Sequence, residues 1–167
     1  MALPRILKNY NMFAQGVSFA GFVDEIELPE LNIRTEEHRA GGMDGIAGID
    51  MGMEKIEMNF SLSEPNPAVL SQFGLINGRS VQLQFRAAAV DDVTAVPYVI
   101  DATGMYTQLS GGTLKVGDKT LTKATLIARF FRMTFNGAVL IEVDVENMIR
   151  IIDGTDQMDE IRAILNM

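Results

Sequence analysis

The chain has no cysteine and a single histidine in 167 residues. Without cysteine there is no disulfide framework, no thiol nucleophile and no thiolate-held metal. One histidine leaves most hydrolase relays and zinc sites without partners. No apolar run approaches the roughly 18 residues a spanning helix requires, so no membrane anchoring is expected. The stretch Met1-Ala2-Leu3-Pro4-Arg5 lacks the apolar core of a signal peptide, which predicts folding in the cytoplasm of the cell that makes the protein. Basic charge is also scarce: 14 Lys and Arg stand against 22 Asp and Glu, for a net charge of −8. An acidic chain does not attract phosphates, so ordinary nucleic-acid binding is disfavoured. Gly112-Thr113-Leu114-Lys115-Val116-Gly117-Asp118-Lys119-Thr120 nearly spells a phosphate loop, but Asp118 separates glycine from lysine and a strand pattern follows instead of a helix.

An apolar share of 47% and a charged share of 22% are those of an ordinary globular chain. The length suits one domain, residues 1–167, with a real core and no linker or repeat. Charge is uneven along it. Residues 1–65 carry 5 basic and 11 acidic side chains, residues 66–137 carry 7 and 4, and residues 138–167 carry 2 and 7.

Strand patterns dominate. Asn11–Ala14 and Val17–Ala20 flank a turn at Gln15-Gly16. Ile56, Met58, Phe60 and Leu62 alternate with Lys55, Glu57, Asn59 and Ser61, and Val81, Leu83 and Phe85 alternate with Gln82, Gln84 and Arg86. Tyr98–Gln108 reads as a longer, weaker strand. Asn136-Gly137 between two alternating runs predicts a hairpin, since both residues accept the positive φ of a type I′ turn. Two short helices are expected. The first runs from cap Asn66 and Pro67 to an exit at Gly74, with Val69, Leu70 and Phe73 as its apolar face. The second spans 155–166, capped by Thr155 or Asp156, with Met158, Ile161, Ile164 and Leu165 at helical spacing.

No constellation carries chemistry. Asp153, Asp156, Asp159 and Glu160 fit a helix start better than a calcium loop. Asp91-Asp92 reads as a solvated turn. His38 shares a strand face with Glu36 and Arg34 and has no nucleophile beside it. Glu54 and Glu57 fall on opposite faces of a strand. No catalytic, cofactor-binding or metal-ligating residue is assigned, so no enzyme and no cofactor are expected.

The unusual segment is 40–52. Gly41, Gly42, Gly45, Gly48 and Gly52 alternate with Met43, Ile46, Ile49 and Met51, beside Asp44. A solvent loop normally avoids that many large apolar residues. The segment is therefore expected to be a loop, mobile in the free subunit and covered by another copy of the chain. Met58 and Met133 suit a core, whereas Met43 and Met51 suit an adaptable interface.

Asn11-Met12-Phe13-Ala14-Gln15-Gly16-Val17-Ser18-Phe19-Ala20-Gly21, Leu28-Pro29-Glu30-Leu31, Thr35-Glu36-Glu37-His38-Arg39-Ala40-Gly41-Gly42-Met43-Asp44 and Ile49-Asp50-Met51-Gly52-Met53-Glu54 together resemble the major tail tube proteins of contractile bacteriophage tails, a family shared by P2-like phages and R-type bacteriocins. Phe73-Gly74-Leu75, Glu142-Val143-Asp144 and Asp153-Gly154-Thr155-Asp156-Gln157 extend the likeness over almost the whole chain. The resemblance implies a mainly β, sandwich- or barrel-like subunit that joins hexameric rings with a continuous β-barrel lumen. Such rings stack into a rigid tube inside a contractile sheath, and the tube is driven through the host envelope and conducts DNA.

It implies further that 40–52 reaches the neighbouring ring, through Gly41, Gly42, Met43, Asp44, Ile46, Ile49 and Met51. Expected partners are the chain itself, a tail sheath protein, the baseplate and tail terminator at the ends, and DNA in transit. The expected location is the virion tail, assembled in host cytoplasm. Lumen strands are expected at Leu31–Arg39, Met53–Leu62, Val81–Ala89 and Tyr98–Thr107, with Glu57, Asn59, Ser61, Gln82, Gln84, Asp101 and Thr103 in the wall. An acidic wall would repel sliding phosphates, but Arg86 shares the face of Gln82 and Gln84 and breaks a purely acidic surface. Two alternatives stand beside this reading. One is the tube of a contractile bacteriocin or type VI-like injection machine without DNA passage; the other is a small ligand-binding β-barrel.

Overall fold

Alternating apolar and polar side chains set the architecture, because successive strand residues point to opposite faces of a sheet. The computed structural model describes residues 4–74, 79–91 and 93–166. Its elements are β1 (Ile6–Ala14), β2 (Val17–Ser18), β3 (Val23–Glu27), β4 (Ile33–His38), β5 (Ala47–Met53), β6 (Ile56–Leu62), α1 (Pro67–Leu70), β7 (Val81–Val90), β8 (Ala95–Ser110), β9 (Thr122–Phe135), β10 (Ala138–Asp144), β11 (Ile149–Ile152), β12 (Thr155–Asp156) and α2 (Asp159–Leu165). The protein is mainly β, as the alternation predicts.

One ten-stranded antiparallel sheet runs β12-β11-β10-β9-β8-β7-β1-β2, with β6 added to β9 and β3 to β6. β9 is the fork. Its first half, Thr122–Ala128, pairs with β6, its second half, Phe130–Phe135, pairs with β10, and β8 runs along its other edge. The path β3-β6-β9-β8-β7-β1 curls until its ends meet, and Tyr10 Oη on β1 donates to the carbonyl oxygen of Asp24 on β3 at 2.7 Å.

The curl encloses the core. Ile56, Met58, Phe60 and Leu62 of β6 face Val81, Leu83 and Phe85 of β7, Ile100 and Tyr106 of β8, and Leu126 and Phe131 of β9, all buried. Each such side chain contributes about 1.5–3 kcal/mol when fully removed from water. Val69 of α1 closes one end and is 0% exposed. The α1 start follows the sequence: Asn66 Oδ1 accepts from the Ala68 N–H at 2.9 Å, and Pro67 occupies the first turn.

Two long strands need a backbone irregularity to curl this far. β8 and β9 shift register at Thr103/Gly104 and again at Tyr106/Gln108. Gly104 is required there, since a Cβ would lie 2.0 Å from the Ile127 carbonyl oxygen. Tyr106 sits inside with its phenol unpartnered, and burial raises its pKa.

Several expectations are corrected. The first helix is a single turn ending at Leu70, and Phe73 is 49% exposed instead of lying on an apolar core face. The second helix is Asp159–Leu165, not 155–166, because Thr155 and Asp156 pair with Ile152 and Ile151 as β12. The Asp156 carboxylate still serves the helix start by accepting the Met158 N–H at 2.9 Å from outside the helix. The glycine-rich segment is a loop only up to Ile46; Ala47–Met53 is a strand paired with β4. Asp91 accepts from the Val93 and Thr94 N–H groups, as a turn residue should, while Asp92 and Leu75 lie outside the described residues.

Candidate functional site

The face of the curled sheet turned away from the core is polar and continuous across strands. Direct cross-strand partners point to the same side, so register decides which residues share it. Gln84 pairs with Asp101, Asp101 with Arg132, and Arg132 with Glu142. Gln82 pairs with Thr103, and Arg86 with Val99, on the same face. On the β6 side, Glu57 pairs with Ile127, Asn59 with Thr125 and Ser61 with Lys123. Following register through both β8–β9 shifts, Glu57, Asn59, Ser61, Gln82, Gln84, Arg86, Asp101 and Thr103 all fall on this one face.

The charges there are mostly tied to neighbours. Arg86 Nε donates to Gln84 Oε1 at 2.7 Å, and Gln84 Nε2 donates to Asp101 Oδ1 at 2.7 Å. Arg132 Nε donates to Glu142 Oε2 at 2.8 Å. That bond, then the charges of Glu142 and Asp101, raise the arginine's pKa against a desolvation that lowers it. Asn59 donates to Glu27 at 3.0 Å and accepts from Thr125 Oγ1 at 2.7 Å, and Lys55 is paired with Glu57. Arg86 and Arg132 lie over the rings of Phe13 and Phe130. A shallow cleft of about 680 Å³ crosses the face between Glu25 and Glu27 on one rim and Gln108 and Ser110 on the other. The surface is therefore mixed in sign, with its dipoles fixed in place, and not a uniformly acidic wall.

The second region is the β4–β5 hairpin. It forms a separate two-stranded sheet, and every residue of the two strands except Met53 is exposed. Ile49 pairs with Glu36 and Ala47 with His38, while Asp50 pairs with Thr35 on the opposite face. Ile46, Ile49 and Met51 are 60%, 49% and 54% exposed. Met43 is half-buried, its sulfur accepting the Ala40 N–H, and Gly41, Gly42 and Asp44 are exposed at the tip. An isolated two-stranded hairpin is marginal in water, so this one needs support.

Leu31 and Met53 at its base pack against the core, and one ion pair adds to them. Asp50 Oδ2 meets Arg150 Nη2 of β11 at 2.9 Å, across a hundred residues of chain. The Asp50 carboxyl is held below its ordinary pKa, first by the Gly52 N–H and then by Arg150. The network continues past β11: Asp156 accepts from the backbone N–H of Arg150 and from Arg162 Nη1 at 2.6 Å. Sequence reasoning missed Arg150, Arg132 and Glu142. The one signal for Arg150 was that it and Arg162 are the sole basic residues in an acidic stretch from 138 to 167.

Among the described residues no group of three His, Asp or Glu side chains could hold a metal ion. A family profile described as phage tail tube protein FII matches residues 4–165. The tail tube protein of Escherichia phage P2 is 29% identical over 172 residues, covering 100% of both chains. The major tail tube protein of Serratia phage KSP20 is 24% identical over 157 residues, covering 92% of this chain and 91% of its own. A chain of the cryo-EM structure of the anti-feeding prophage baseplate covers 87% of this chain and 99% of that one at 12% identity and a TM-score of 0.46, too loose a likeness to carry an argument.

Proposed function

This chain belongs to the phage tail tube protein family, and from that premise we propose that its copies close into hexameric rings whose polar sheet faces line one continuous barrel. Tail tube proteins of this family are structural components of contractile phage tails, and their place is the virion tail. The whole chain, 1–167, acts as one tube domain. The rings stack through 40–52, with Gly41, Gly42, Met43, Asp44, Ile46, Ile49 and Met51 reaching the next ring. The sheath surrounds the tube, baseplate and terminator close its ends, and DNA meets it only in transit. No catalysis, metal or cofactor belongs to the reading.

The observation that supports it best is the coincidence of eight expected wall residues on one face of one sheet. Closure into a barrel also removes sheet edges that a lone subunit leaves at its end strands β2, β3 and β12. The tied charges suit a conduit, since a phosphate passing fixed, paired groups is held only weakly; among the described residues of this face Arg86 and Lys123 are the cations without an ion pair.

Electron microscopy of the purified protein tests this directly. Rings or tubes with a central channel are expected, and a protein that stays monomeric by light scattering at all concentrations would overturn it. Reversing the wall charge with Gln84→Lys and Asp101→Lys should leave tube formation intact and slow DNA ejection.

A further inference from the structure

Among the described residues nothing buries the apolar side of α2. Ile161, Ile164 and Leu165 fall on one helix face and are 46%, 79% and 52% exposed, and no residue of α2 is buried. A seven-residue helix is too short to persist by propensity alone. Its anchors are polar and lie on the Arg162 side, which donates to the Met148 carbonyl oxygen at 2.9 Å and pairs with Asp156 and Asp159. The free charge at this end is negative: Glu160 lies one turn before Ile164 on the helix, Asp153 sits in the β11–β12 turn, and neither makes an ion pair among the described residues.

At the far end of the long β8–β9 hairpin, the connection between Ser110 and Thr122 has the opposite character. Leu114 and Val116 are 82% and 102% exposed, and Lys115 and Lys119 beside them are 75% and 73% exposed even with Asp118 at 2.8 Å from the first and Asp24 at 3.9 Å from the second. The α2 end is tied through β11 and β10 to Phe130–Met133 of β9, whereas the connection begins at Thr122. Eight residue steps of strand separate Thr122 from Phe130, about 26 Å at roughly 3.3 Å per residue. One copy therefore carries an apolar, basic projection at one end and an apolar, acidic seat at the other. Two different patches at opposite ends make a head-to-tail contact, which repeats from copy to copy. Opposite charge around apolar contacts fixes register and steers encounter.

We propose that the apolar face of α2 is the seat for the Gly112–Leu121 loop of a second copy of this chain. The contact rests on the tail tube reading and adds to the hairpin a second link between subunits. It would bury Leu114 and Val116 against Ile161, Ile164 and Leu165, with Lys115 and Lys119 over Asp153 and Glu160.

Cysteine pairing tests it cleanly, since the chain has no cysteine of its own. The variant carrying Val116→Cys and Ile164→Cys should give a covalent ladder of multimers when assembled tubes are mildly oxidised. Either single variant should give dimers at most. Within one copy the two positions are far beyond the roughly 4.4–6.8 Å between Cα atoms that a disulfide spans, so every bond reports two copies. Separately, Leu114→Asp with Val116→Asp should raise the concentration needed for tube growth at least tenfold with an unchanged thermal midpoint. Tubes of the double-cysteine variant that yield no ladder overturn the contact and leave the tail tube reading standing. Normal growth of the Leu114→Asp, Val116→Asp variant, with Ile164→Asp losing only sheath binding, assigns the face to the sheath and overturns it too. Wild-type protein that forms neither rings nor tubes overturns the tail tube reading and this contact together.

Discussion

The curled sheet and the β4–β5 hairpin are built from the same kind of strand, yet they are held by opposite means. In the sheet one face is sealed: Leu62, Ile100, Leu126 and Phe131 are all 0% exposed, and apolar burial carries the stability. In the hairpin both faces are wet, the Glu54 N–H bonded to the Asn32 carbonyl oxygen closes its base, and its ties to the body are Leu31 and Met53 packed against the core and the Asp50–Arg150 pair. The sheet is complete as a single chain. The hairpin presents Ile46, Ile49 and Met51 to solvent, which a lone subunit does not need. The difference teaches that the buried face which carries stability and the exposed apolar side chains of the hairpin belong to separate parts of the chain and can be changed separately.

The sharpest break of that comparison lies in the core. Leu126→Ala should lower the unfolding free energy by about 2–5 kcal/mol, read by denaturant titration, because a large buried side chain leaves a cavity. Next comes Gly104→Ala. Its new methyl meets backbone at 2.0 Å, and the overpacking should cost about 1–3 kcal/mol. Asn66→Ala removes the cap of α1 and should cost about 1 kcal/mol. In the hairpin, Ile49→Asp with Met51→Asp should change subunit stability by no more than about 0.5 kcal/mol, as for other surface changes, while abolishing tube growth. If that pair unfolds the subunit, the two regions are not separable.

The smallest effect is acidification. Asp50 and Asp156 have folded pKa values below the ordinary 3.8, held there first by the Gly52 and Met158 N–H groups respectively. Their contribution is therefore complete above that value and is lost as pH falls through the lower folded values. Amide exchange at Gly52 and Met158, corrected for intrinsic rate, should rise below about pH 4 while that of Leu126 does not.

What was legible in the sequence follows the same division. The runs Ile56–Leu62 and Val81–Phe85 announced themselves because one face is buried and the period is two. Asn136-Gly137 announced its turn, and both residues take positive φ, 49° and 81°. β5 did not, since Gly48 and Gly52 weaken its strand propensity and neither face is buried, so no apolar pattern specifies its register. Alternation survives two register shifts, so the eight residues expected in the wall share one face of the sheet, whereas the expected wall strand Leu31–Arg39 lies in the separate β4–β5 hairpin because its pattern has no buried face to fix it. Arg150 was invisible because its partner lies a hundred residues away and no local pattern records a distant charge. The C-terminal helix was placed too early because Asp156 performs the capping function from a strand.

The hairpin's slender attachment also has a mechanical meaning. When elastic bodies are joined end to end their compliances add, so the softest element governs how the whole column bends. Each subunit is a stiff shell with a dry, close-packed interior, and such interiors barely compress. A load applied at the hairpin tip would therefore bend the joint at its base before it strained the sheet, and the Asp50–Arg150 pair would help to set the stiffness of that joint.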